Sequence, residues 1–191
     1  MSKGRLEAFS DGVLAIIITI MVLELAPPAG SDLGALRPLL PKFLGYILSF
    51  IYVGIYWNNH HHLFQVVRRV DGRVLWANLH LLFWLSLVPF VTAWMGQNPS
   101  TAWPVALYGL VLLMAGVAYN LMTRALLALH EADSSLALAL GRDVKGKASV
   151  IAYIVALPLA FLWPWASYTL FVIVALVWLV PDRRIEKTLA A

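Results

Sequence analysis

Six apolar stretches divide the chain, at about residues 6–26, 43–66, 74–96, 102–127, 147–164 and 165–181. A helix needs roughly 20 apolar residues to cross a bilayer core about 30 Å thick, so each stretch predicts one transmembrane span. Polar or proline-rich segments separate them. Segment 27–42 carries Pro27, Pro28, Pro38 and Pro41, and segment 67–73 is short and basic, with Arg68, Arg69 and Arg73. Segment 97–101, QNPST, is uncharged, and segment 130–146 is polar and expected to hold an interfacial turn. The last two spans meet at Trp163, Pro164 and Trp165. With Trp94 and Trp103, these indoles mark a membrane–water interface. The pattern predicts an all-α membrane protein, with one six-helix transmembrane domain filling residues 1–191.

Composition agrees. Of 191 residues, 61% are hydrophobic and 13% charged, whereas a soluble domain is about half apolar and a quarter charged. There is no cysteine, hence no disulfide framework or thiolate chemistry. The first apolar stretch has no convincing small-residue cleavage site and reads as a retained span. Charge then sets orientation. With the N-terminus inside, Lys3, Arg5, Arg68, Arg69, Arg73, Arg124, Arg142, Lys145, Lys147, Arg183, Arg184 and Lys187 are cytoplasmic, and only Arg37 and Lys42 are outside. That asymmetry predicts a multi-pass protein of the cell membrane with both termini cytoplasmic. The basic excess therefore speaks to topology and to contact with membrane lipid, and no nucleic-acid partner is expected.

The first span, RLEAFSDGVLAIIITIMVLEL from Arg5 to Leu25, joins a polar heptad directly to an apolar helix. Asp11 lies about a turn and a half inside the cytoplasmic end. An ionisable group at that depth needs a partner or an aqueous vestibule. Ser10 can bond to its own backbone. Ile16, Ile20 and Leu23 recur at i, i+4 and i+7 with Thr19 beside them, and Gly12 continues the stripe. On spacing alone a packing face is the favoured reading of this stripe, since any apolar helix offers one. A pore built from it requires several subunits, since the motif occurs once per chain, and a ring with cyclic symmetry is the simplest arrangement.

Arg5, Phe9, Ser10 and Asp11, spaced R-x-x-x-F-S-D, resemble the signature of the endolysosomal potassium channel family, transmembrane protein 175, and its bacterial relatives. Trp57, His60, Leu63 and Phe64 in YWNNHHHLFQVV, and Asn78 followed by Pro89 in NLHLLFWLSLVPF, are similar to two further family motifs. Their order and the six-span plan extend the resemblance over essentially the whole chain. The resemblance implies a single-repeat bacterial member in the bacterial inner membrane: a homotetrameric potassium channel whose first helix lines a central pore. It implies a hydrophobic constriction at Ile16, further pore-facing positions at Ile20 and Leu23, and a threonine ring at Thr19 that contributes to selection. No TVGYG-like stretch is present, so no carbonyl filter is expected. An isoleucine ring closes by dewetting and sets a width, which predicts modest selection of K⁺ over Na⁺. Glu24, at the outer end of the helix, is expected to concentrate cations at the mouth.

His60, His61, His62 and His80 raise a metal reading. Adjacent helical residues point about 100° apart, so three consecutive histidines cannot chelate one ion, and no metal site is expected. The favoured reading is a buried polar network in which Trp57, His60 and Asn78 face the Arg5–Ser10–Asp11 end of the first helix. Such a network is expected to fix that helix and, through His60, to respond to pH. The rival is a set of interfacial polar residues with no gating role. A secondary transporter is the alternative function, but no inverted repeat or pair of broken helices is evident. No nucleophile–base pair supports an enzyme. No cofactor is expected, K⁺ being the permeant ion.

Overall fold

The computed structural model describes residues 2–130 and 143–179. The expected turn in 130–146, Arg142, and the cationic residues after span six fall largely or wholly outside these. The described residues form α1 (Lys3–Leu23), a 3₁₀ segment (Leu33–Leu39), α2 (Leu40–Val66), α3 (Gly72–Ser86), α4 (Val88–Gln97), α5 (Ala102–Leu127), α6 (Val144–Leu162) and α7 (Pro164–Leu179). Among the described residues five spans are long and apolar enough to cross a membrane, with α3 and α4 counted together, and α7 is a further, shorter apolar helix.

Helix boundaries follow from local chemistry. Asp71 starts α3 by accepting the Val74 N–H at 2.9 Å, and Asp143 starts α6 by accepting the Gly146 N–H at 3.1 Å. Such side-chain caps satisfy amides left unpaired at a helix start. Pro27 and Pro28, three and four residues beyond the Glu24 C-cap, prevent α1 from continuing. The third span departs from expectation: the single helix predicted over 74–96 is broken at Leu87 into α3 and α4. Pro89 is the cause, because it has no N–H to offer the Leu85 carbonyl one turn back.

Contacts at the two ends show how the spans alternate. At one end, the Arg68 N–H donates to His130 Nε2 at 3.3 Å, joining the segment after α2 to the end of α5. At the other, Gly96 near the end of α4 meets the backbone of Lys42 at the start of α2, and a Cβ on Gly96 would lie 2.9 Å from Lys42 Cα. The rings of Trp103 and Phe161 meet edge-on at that same end, with centroids 4.9 Å apart. Between the ends, Ser49 Oγ bonds Thr92 Oγ1 at 2.7 Å and Tyr108 Oη at 3.0 Å, linking α2, α4 and α5. The Tyr52 hydroxyl donates to the Phe171 carbonyl at 2.7 Å and ties α2 to α7. Close backbone approach and hydroxyl bonds are the usual adhesives where lipid supplies no hydrophobic drive. The result places α1 on one flank of the bundle, packed on α2, α3 and α4.

Candidate functional site

Helix α1 has two unlike faces. Leu6, Ser10, Leu14, Ile17 and Met21 are buried against the bundle. Arg5, Phe9, Gly12, Ile16, Thr19, Ile20 and Leu23 are exposed. At about 100° per residue the exposed set forms one stripe, turned roughly 135° from the buried one. Ile16 is 58% exposed and Leu23 79%, while Ser10 is fully buried. The bundle therefore holds α1 by one side and leaves the Ile16 side free of its own protomer.

The chemistry along that stripe is sparse. Ile16, Ile20 and Leu23 offer only hydrocarbon. The Thr19 hydroxyl donates to the Ile16 carbonyl at 2.8 Å. Its proton is thus committed to the backbone, and the oxygen keeps a lone pair that can accept from water or touch a cation. Glu24 is exposed at the C-cap, about a quarter turn round from Leu23.

Three hydrogen-bonded side chains secure the buried side. The Ser10 hydroxyl donates to the Leu6 carbonyl at 2.9 Å, and the Asn78 Nδ2 donates to Ser10 Oγ at 3.0 Å. Asn78 Oδ1 meets His60 Nε2 at 2.9 Å. The His60 ring stacks on Phe64, with centroids 4.5 Å apart. His60 and Asn78 are each 2% exposed. One chain of hydrogen bonds thus runs from α1 through α3 to α2. Beside it, Trp57 Nε1 donates to Asp11 Oδ1 at 3.1 Å, giving the carboxylate a neutral donor on α2. The indole stacks on His61, at 5.8 Å.

The structure therefore brings together Ser10, Asp11, Trp57, His60 and Asn78. Arg5 and Phe9 stand apart, on the exposed stripe and outside this chain of hydrogen bonds. The other histidines go elsewhere. His61 bonds Gln65, and His80 accepts from Trp84 Nε1 at 3.0 Å, whereas His60 is bonded to Asn78. Among the described residues no group of three or more His, Cys, Asp or Glu is placed to hold a metal ion. Sequence reasoning had no sign of a cavity of about 570 Å³ between α2, α5, α6 and α7, because its lining is scattered over four helices.

Comparison with known proteins gives this arrangement a context. Residues 5–89 match the family model for the endosomal/lysosomal potassium channel TMEM175. A potassium channel of Chryseobacterium sp. (strain P1-3) is 54% identical over 99% of this chain and 98% of its own length. The endosomal/lysosomal proton channel TMEM175 of Mus musculus is 28% identical over 60% of this chain, a match spanning 24% of that longer protein. The crystal structure of a lysosomal potassium-selective channel TMEM175 homolog from Chamaesiphon minutus superposes with a TM-score of 0.80 at 29% identity, over 93% of this chain and 96% of that one.

Proposed function

Since the chain belongs to the TMEM175 family, and so is a multi-pass membrane ion channel and not an enzyme, we propose that it conducts K⁺ in preference to Na⁺ along an axis walled by α1. Four copies surround that axis, each presenting Ile16, Thr19, Ile20 and Leu23. One pore helix per chain requires such a ring. Both termini lie in the cytoplasm of the bacterial cell, with the cation-rich helix ends inside.

One observation carries this reading: the bundle grips α1 by Leu6, Ser10, Leu14, Ile17 and Met21 and leaves the Ile16 stripe uncovered. The name of the Chryseobacterium relative, a potassium channel, supports the choice of ion. In this mechanism the Ile16 ring excludes water when narrow and passes a partly dehydrated cation when wide. The larger alkali ion sheds water more easily, so K⁺ leads. Thr19 oxygens, one turn outward, return part of the lost hydration. The Ser10–Asn78–His60 chain holds α1 at the rotation that aims Ile16 at the axis.

Purified protein in planar bilayers under opposed K⁺ and Na⁺ gradients tests the proposal. A reversal potential on the K⁺ side of zero is expected. A reversal potential at zero under that bi-ionic gradient would remove the selectivity, and proton-driven shifts alone would replace K⁺ with H⁺ as the carried ion.

A further inference from the structure

The cavity between α2, α5, α6 and α7, about 570 Å³ in volume, has no wall from α1 and stands apart from the candidate pore. Its size falls in the range of ligand pockets. Its lining is sorted by depth. Along α5 it runs from Gly116 to Arg124, and along α6 from Tyr153 back to Asp143. At 1.5 Å per residue these stretches are about 12 and 15 Å long, close to half the roughly 30 Å hydrocarbon thickness. Ile55, Leu121 and Val150 supply apolar wall, the Tyr52, Tyr119 and Ser149 hydroxyls and the Asn59 amide each donate to a backbone carbonyl, and the charged residues of the described lining, Arg124, Asp143 and Lys147, gather at one end. Asp143 turns its carboxylate onto its own helix, with Oδ1 3.1 Å from the Gly146 N–H. Arg124 and Lys147 are both exposed.

Such a space has one natural filler. A mostly apolar cavity whose polar side chains are largely bonded to carbonyls gives water few partners, and in a bilayer the abundant apolar molecule is lipid. Basic pockets between transmembrane helices on the cytoplasmic side suit anionic headgroups. We propose that this cavity holds one acyl chain of an anionic phospholipid of the inner leaflet, its phosphate resting against Arg124 and Lys147. The leaflet rests on the orientation proposed above. The site itself is independent of which ion is conducted.

Native mass spectrometry of the full chain, purified and exposed to phosphatidylglycerol, phosphatidylcholine or inorganic phosphate, tests this. The wild type is expected to retain phosphatidylglycerol over phosphatidylcholine by roughly tenfold or more, from two cations at the mouth. Inorganic phosphate should not displace it. The double variant Arg124→Gln, Lys147→Gln should lose the preference yet keep bound lipid, and both changes lie at exposed positions that leave the core intact. Gly116→Leu should lower retention of both lipids: a Cβ there meets the Tyr56 hydroxyl and Val150 Cγ2 at an ordinary 3.8 Å, so the larger side chain enters the cavity. Equal retention of the two lipids, no retained lipid, or retention unchanged in both variants would overturn the proposal. Displacement by phosphate would overturn the acyl-chain part. Labelling of a Ser2→Cys variant from outside the cell would overturn the leaflet alone.

Discussion

Replacing Asn78 by leucine tests how α1 is held. Asn78 is the middle member of the chain from Ser10 to His60, with bonds of 3.0 and 2.9 Å, and all three residues are nearly or fully buried. Leucine fills similar space but supports neither bond. Ser10 keeps its bond to the Leu6 carbonyl, so the orphaned group is His60 Nε2. Side-chain hydrogen bonds within membrane proteins contribute about 0.6 kcal/mol on average and up to about 1.7. Losing two costs about 1–3 kcal/mol. Reversible unfolding in detergent of the wild type, N78L, S10A and the double variant would measure it. The Ser10–Asn78 coupling should be about 0.5–1.5 kcal/mol. Single-variant costs that add to within about 0.3 kcal/mol would show that the 3.0 Å contact contributes nothing, and the account of how α1 is anchored would fail.

Three further outcomes are expected. Ile16→Asn should raise single-channel conductance and weaken K⁺/Na⁺ discrimination, read from bilayer currents, with protomer stability unchanged because Ile16 is exposed. Glu24→Gln should lower K⁺ conductance in 10 mM salt and have little effect in 1 M, since the screening length falls from about 30 to about 3 Å. Gly96→Leu should cost about 1–3 kcal/mol of stability by forcing α4 off Lys42, seen as a lower unfolding midpoint of purified protein.

Much of the fold was legible because its spans are separated by unambiguous breaks. In AWPVALYGLVLLMAGVAYNLMTRALL the strongly polar residues, Asn120 and Arg124, come only in the last third, and α5 occupies the predicted 102–127. The break at Leu87 was harder to foresee. A proline inside an apolar run either kinks or ends a helix, and only packing around Ser86 and Leu87 decides which. The partners of Ser10 were foreseeable because Ser10, His60 and Asn78 all fall near the same end of their spans. That Trp57 serves Asp11, while Arg5 and Phe9 lie on the opposite stripe, depended on the rotation of α1. Its apolar residues occur all round the helix, so periodicity could not choose a face. The cavity was invisible for a related reason: Tyr56, Arg124 and Lys147 are distant in sequence and adjacent only after three helices have packed.

A channel walled by α1 requires Ile16 to face water at the axis. The chain has no cysteine, so Ile16→Cys supplies a single thiol. Current through that variant should fall irreversibly when a water-soluble, charged methanethiosulfonate is added to an open channel, while Leu14→Cys, on the buried face, should be unaffected. Steady current through Ile16→Cys, with the thiol reached only by a lipid-partitioning maleimide, would place the residue in the membrane and contradict an axis walled by α1.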